Sequence, residues 1–276
     1  MQLTEETVYT PQEMIVVAGA RTLEDNKVVF VGTGLPMIAT VLARRTHAPG
    51  LIPVFEAGAV GPTLEAGLPF SVGDSRTSSR ASYTKGLNAA FELTQRGFCD
   101  FGFVGGAEID PFGNLNSTMM GKFPEDYQKP RVRLPGSGGA GDMAASCERT
   151  ILIMPHQKRR FNEKLSYITS PGFLDGTPGA RKRAGLLGQG PYRVITTKAV
   201  LDFDEATRRM RLIHTMPGET VESVQAATGF ELLVSPAVSE FDPPTDQELR
   251  LIREQIDPLG FFVKKPVKPQ PLPNQF

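Results

Sequence analysis

The chain has 276 residues, 40% of them apolar, enough for one large domain with a sizeable core. Its 30 Lys+Arg balance 30 Asp+Glu, so no overall field favours nucleic acid or an anionic membrane, and no run approaches the ~20 apolar residues that span a bilayer. Two cysteines and three histidines without ligand spacing argue against a metal site; with a polar, acidic start in place of a secretory signal, they point to a reducing, cytoplasmic setting.

In chain order, Thr10 to Arg21 reads as a helix, with Pro11 in its first turn and Met14, Val17 and Ala18 at helical spacing. Lys27 to Gly34 is a β-branched run ending in glycines, the mark of a buried strand entering a tight turn. Met37 to Arg45 returns to helix, and Leu51 to Phe55 is a second strand that stops at Glu56-Ala57-Gly58. Lys85 to Arg96 reads as helix, and Phe101 to Gly105 and Thr150 to Met154 as strands. Arg193 to Thr197 and Met210 to His214 are later strands, the second following a polar turn. Thr220 to Ala227 and Thr245 to Gln255 carry helix signals; Thr245 with Glu248 forms a capping box. The alternation predicts an α/β fold over residues 1–262, a single open, mixed or mostly parallel sheet with helices on both faces. The proline-rich stretch 263–276 is expected to run extended over the surface. Ligands bind such sheets at the carboxyl ends of strands, which directs attention to loops 32–36, 56–62 and 105–116.

Three stretches there carry chemistry. Glu56 follows an apolar strand and precedes two small residues, so its carboxylate has room to meet a substrate; partial burial would tune it as nucleophile or base. A strand-end carboxylate that caps backbone or pairs with a cation fits the same position. GSGGAGD, residues 136–142, opens a helix at Met143–Glu148, and its N–H groups can converge on an oxygen bearing developing negative charge; a plain glycine connection is the alternative. It lacks the Lys-Ser/Thr ending of a nucleotide phosphate loop. GGAEIDPFGNLNST, residues 105–118, is either a turn or a binding loop.

In this order, VVFVGTGLP, PVFEAG, SVGDSR, GGAEIDPFGNLNST, GSGGAG, IMPHQKRRF and YITSPGFLDG resemble the β-type subunits of family I coenzyme A transferases, in particular the glutaconate branch. The likeness runs from about residue 10 to 262. It implies a CoA-transferase (NagB-like) fold, with coenzyme A as substrate in acyl-CoA form and no permanently held cofactor or metal. It also implies an α-type partner subunit in a heterotetramer or larger assembly, with no nucleic-acid or membrane partner. The family glutamate of its Glu-x-Gly motif falls on Glu56, the nucleophile that forms a glutamyl-CoA thioester, with Gly58 following. Gly138, Gly139 and Ala140 match the Gly-Gly-Ala segment, where the amides of Gly139 and Ala140 would stabilise the thioester oxygen. Gly105, Gly106 and Ala107 would shape the adjoining wall. Ser71, Asp74 and Arg76 are candidates for bordering the acyl pocket, and Lys158, Arg159 and Arg160 for attracting CoA phosphates. His156 is expected to fix local packing or a partner contact.

Relatives in the superfamily hydrolyse acyl-CoA, cleave rings or decarboxylate, and a non-catalytic CoA-binding subunit is a further alternative. Retention of Glu56 beside intact small-residue loops favours transfer. A dinucleotide oxidoreductase lacks support, since no GxGxxG with a downstream ribose-binding acid occurs.

Overall fold

The computed structural model describes residues 8–64 and 67–264. Helix α1 (Pro11–Thr22) begins where the sequence requires: the Thr10 hydroxyl accepts from Glu13 N–H and the Glu13 carboxylate accepts from Thr10 N–H. β1 (Val28–Val31), α2 (Leu35–Arg45) and β2 (Ile52–Phe55) complete a strand–turn–helix–strand unit. There follow β3 (Ala59–Val60), β4 (Tyr83–Thr84), α3 (Leu87–Gln95) and β5 (Phe101–Val104). Two small hairpins come next, β6 (Glu108–Ile109) with β7 (Leu115–Asn116) and β8 (Met119–Met120) with β9 (Val132–Arg133). The rest is α4 (Ala140–Ser146), β10 (Arg149–Met154), α5 (Ala180–Arg183), β11 (Gly190–Thr196), β12 (Ala199–Phe203), β13 (Met210–Thr215), α6 (Val221–Ala226), β14 (Leu233–Glu240) and α7 (Asp246–Arg250).

The main sheet runs β14-β13-β12-β11-β10-β5-β1-β2-β3-β4. Its centre, β11-β10-β5-β1-β2, is parallel throughout, with antiparallel pairings on both flanks. Successive side chains of these strands feed opposite cores, as a period of two demands. Val29, Val31, Phe103 and Ile151 join the core under α1 and α2. Phe30, Val104, Leu152 and Met154 join the core that receives Ala90 of α3, Met143 of α4 and Val224 of α6. The two cysteines, distant in sequence, meet in this second core, both free and buried. Cys99's hydrogen bond and burial push the Cys147 thiol above its usual range.

Several boundaries differ from the sequence expectation. β12 and β14 are strands that the sequence reading does not include. α4 starts at Ala140, three residues before Met143, because its N-cap is Gly139, which has no side chain to announce a cap. The last helix continues past α7 as a wider turn over Leu251–Ile256. Of the proline-rich stretch, only Val263 and Lys264 lie within the described residues. Among the described residues no helix is long and apolar enough to cross a membrane.

Candidate active site

All five central strands end at the same edge of the sheet, and the candidate residues follow from how three of them turn there. β2 ends in a tight turn in which Gly58 N–H donates to Phe55 O at 2.8 Å. Gly58 has φ +104°, and a β-carbon on it would stand 1.8 Å from Lys85 O, so only glycine fits. This turn leaves Glu56 half-buried at the mouth of the strand. Its carboxylate has no hydrogen bond or ion pair among the described residues.

The glycine stretch faces that carboxylate. Gly138 has φ +47°, and Gly139 caps α4. A β-carbon on Gly139 would lie 3.0 Å from Glu56 Oε1 and 2.6 Å from Phe91 Cζ. Glu56, Phe91 and Gly139 therefore meet at one point. The Gly139 N–H has no hydrogen-bond partner among the described residues, whereas the Ala140 N–H donates to Ser137 O at 2.9 Å. Of the two amides singled out from the sequence, one is open and one is engaged in its own turn.

The second hairpin region holds this stretch in place. Ser117 is bonded to Gly136 twice, with Gly136 N–H donating to Ser117 O and Ser117 Oγ donating to Gly136 O, each at 2.8 Å. Thr169 Oγ1 accepts from Ser117 N–H at 2.9 Å and is hydrogen-bonded to Thr118 Oγ1 at 2.7 Å. The polar cluster of GNLNST is thus largely structural. Asn114 is buried: its amide donates to Asp110 Oδ2 at 2.7 Å and its oxygen accepts from Gly172 N–H. Burial pushes the Asp110 carboxyl up to about 6, against the hydrogen bonds from Asn114 and Phe112.

Gly105, Gly106 and Ala107 follow β5, with β1 lying between that strand and β2. Close packing explains Gly106, where a β-carbon would meet Leu115 Cβ at 3.1 Å. Arg160 Nη1 donates to Ala107 O at 3.3 Å, so part of the basic run braces this wall. His156 packs as expected, buried and stacked on Phe161 at 4.1 Å between the Thr196 and Thr228 hydroxyls. Burial lowers its imidazole to about 4.

Arg76 is committed elsewhere. Asp74 takes its guanidinium in a forked pair, Nη2 to Oδ2 at 2.5 Å and Nε to Oδ1 at 3.0 Å, and the group lies over Phe70. That fork holds the Asp74 carboxyl well below the usual carboxylate range. Ser71 Oγ accepts from Gly73 N–H within its own turn. Sequence reasoning does not find Phe91; nothing in an amphipathic helix pattern distinguishes an aromatic that touches Gly139. Among the described residues no group of His, Cys, Asp and Glu is placed to hold a metal ion.

A half-buried, unpaired carboxylate beside the glycine that caps α4 has the chemistry to attack a carbonyl. The family described as Coenzyme A transferase matches residues 12–227. The chain is 41% identical to the β-type subunit of glutaconate CoA-transferase of Acidaminococcus fermentans over 272 residues, 96% of this chain and 99% of that one. It is 38% identical to the β-type subunit of 3-oxoadipate CoA-transferase of Pseudomonas knackmussii, over 90% of this chain and 93% of that one. The crystal structure of glutaconate coenzyme A-transferase from Acidaminococcus fermentans superposes with a TM-score of 0.87 at 39% identity, covering 95% of this chain and 100% of that one. The chain belongs to the coenzyme A transferase family.

Proposed function

We propose that this chain is the β-type half of a heteromeric enzyme that moves CoA between an acyl-CoA and a short dicarboxylic acid through a thioester on Glu56. The observation that carries the reading is the meeting of the unpaired Glu56 carboxylate with Gly139. The names of the two relatives support the substrate class and the need for a second, α-type chain.

The chemistry exchanges groups of similar energy. Glu56 attacks the thioester carbonyl, forming an acyl–glutamyl anhydride and expelling CoA thiolate. The thiolate attacks the glutamyl carbonyl, releasing the first acid and leaving glutamyl-CoA thioester. The acceptor carboxylate attacks that thioester, forming a second anhydride and freeing the thiolate, which then attacks the acceptor's carbonyl and restores Glu56. Each tetrahedral step places negative charge on an oxygen beside Glu56, and the unengaged Gly139 N–H is the donor this reading assigns to it. A preorganised donor of this kind contributes about 3 kcal/mol to the barrier.

The test is to incubate the assembled enzyme with acyl-CoA but no acceptor, quench, and digest for mass spectrometry. The expected result is a peptide containing Glu56 that carries CoA and is reduced by borohydride or captured by hydroxylamine. Acceptor-independent turnover without an adduct on Glu56 would overturn the transferase mechanism.

A further inference from the structure

Helix α5 carries three successive cations, Arg181, Lys182 and Arg183. The first is buried, 8% exposed, with no carboxylate paired to it among the described residues. Its guanidinium donates to Leu187 O at 2.6 Å, Gly172 O at 2.8 Å and Ala144 O at 3.1 Å, all neutral backbone carbonyls. Its Nε has no hydrogen-bond partner among the described residues. Burial lowers the group from its ordinary 12.5 to about 10, and no neighbouring charge offsets that loss. A buried charge is ordinarily paired, so Arg181 calls for an anion that the described residues do not supply.

Arg181 lines a cleft of about 400 Å³ with Lys182, Arg208, Gln189, Phe173 and Leu186, and no Asp or Glu lines it among the described residues. Lys182 and Arg208 are exposed there and form no ion pair among the described residues. The Arg208 guanidinium lies over the Phe173 ring, 5.2 Å from its centroid, which holds it at the cleft. Two carboxylates nearby are already engaged: Asp175 accepts from the Thr177 N–H and hydroxyl, and Glu148 from the Gln189 amide. Three cations therefore share one cleft with no acid in its walls. The cleft stands apart from Glu56. Gly190, where a β-carbon would meet Arg181 Nε at 3.0 Å, is in register with Arg149, Phe101, Val29 and Pro53 across the sheet. Pro53 precedes Glu56 on β2, and β10, β5 and β1 lie between β11 and β2. Four strand spacings of about 4.8 Å put the cleft about 20 Å from the Glu56 carboxylate.

We infer that the cleft of Arg181, Lys182 and Arg208 binds the phosphate group of a small molecule other than the reacting acyl-CoA. A phosphate carries up to two charges on several acceptor oxygens, so it takes a guanidinium and an ammonium at once. Arg208 and Lys182 make the contacts. Arg181 stays on its carbonyls and answers the anion with its charge. The site goes beyond the CoA-transfer reading and does not depend on the role of Glu56.

The test is isothermal titration of the enzyme, assembled with its partner chain, with inorganic phosphate at an ionic strength held constant with chloride, and then with acetate. Two charge-assisted contacts imply a Kd of about 1 mM for phosphate. Lys182→Gln and Arg208→Gln, both at exposed positions, should each weaken binding about tenfold, and Arg208→Lys should recover part of the loss. Acetate, with one charge, should bind at least about tenfold more weakly than phosphate. KM for acyl-CoA should stay unchanged in both Gln variants. The absence of phosphate binding, binding that survives both substitutions, or acetate binding as tight as phosphate would overturn the inference. So would a rise in KM for acyl-CoA in the variants, which would assign the cleft to the phosphates of CoA. Thermal melts in chloride report the folding of the variants separately.

Discussion

Replacing Gly139 by alanine tests the geometry of the site most directly. The added methyl would stand 2.6 and 2.8 Å from two carbons of the Phe91 ring and 3.0 Å from Glu56 Oε1. Carbon contacts become comfortable at ~3.5 Å, so the ring, the start of α4 or both must retreat by about 1 Å. Phe91 is not free to do so cheaply, since it stacks on Phe30 of β1 at 5.5 Å, itself fully buried. A displacement of about 1 Å between reacting groups costs on the order of a hundredfold in rate, about 2.7 kcal/mol in the barrier. The same crowding should cost about 1–3 kcal/mol in stability. The assays are steady-state CoA transfer, the rate at which the Glu56 thioester appears on mixing with acyl-CoA, and a thermal melt. Adding Phe91→Leu to Gly139→Ala should restore part of the rate by opening room for the methyl, a coupling that a double-mutant cycle measures. A Gly139→Ala enzyme that forms the adduct within about twofold of the wild-type rate would refute the reasoning.

Glu56→Gln keeps the shape of the side chain and removes the nucleophile. It should abolish transfer and adduct formation while assembly with the partner chain, followed by size-exclusion chromatography, stays intact. Gly58→Ala should be a folding lesion as much as a catalytic one, because its β-carbon would overlap Lys85 O and its φ of +104° is a glycine conformation. A loss of at least ~2 kcal/mol by denaturant melt is expected. His156 gives a pH signature. Burial lowers its imidazole from the ordinary 6.5 to about 4, so between those values the unfolded chain binds the proton that the native one refuses. Its contribution to stability is present above about pH 6.5 and is lost as pH falls toward about 4, by about 3 kcal/mol in all. Asp110, raised to about 6, works in the opposite sense, its contribution being lost as pH rises. Denaturant melts of His156→Gln from about pH 7 to about pH 4 should therefore show a flatter acid limb than wild type; an equally steep limb would exclude this source.

The parts of the fold legible in the sequence are those whose signals are local. Thr10 with Glu13 and Thr245 with Glu248 announce their helices because a cap needs only a few consecutive residues. The runs at Val29 and Val54 announce buried strands because both faces are covered. β14 is hidden because it is a largely exposed edge strand containing Pro236, so neither periodicity nor a continuous apolar run marks it. Glu56 is marked by its motif within the ordered series, since its place after an apolar strand fits a backbone-capping carboxylate as well. Its partner Phe91 is not, since their meeting depends on how α3 lies against α4. Arg76 shows the converse: a free cation in the sequence is a spent one in space, because Asp74 reaches it first.

The bonds that hold the glycine stretch have a kinetic consequence. Asn114 reaches Gly172 and Leu174, Ser117 and Thr118 reach Thr169, and these links join residues 51 to 60 positions apart. By contrast, β1 and β2 pair across a short connection filled by α2. Long loops close more slowly, because their entropy must be lost before any contact repays it. The wall that carries Gly139 therefore closes after the β1–β2 pair, and a nascent chain holds Glu56 at the end of its strand before it can hold the glycine that meets it.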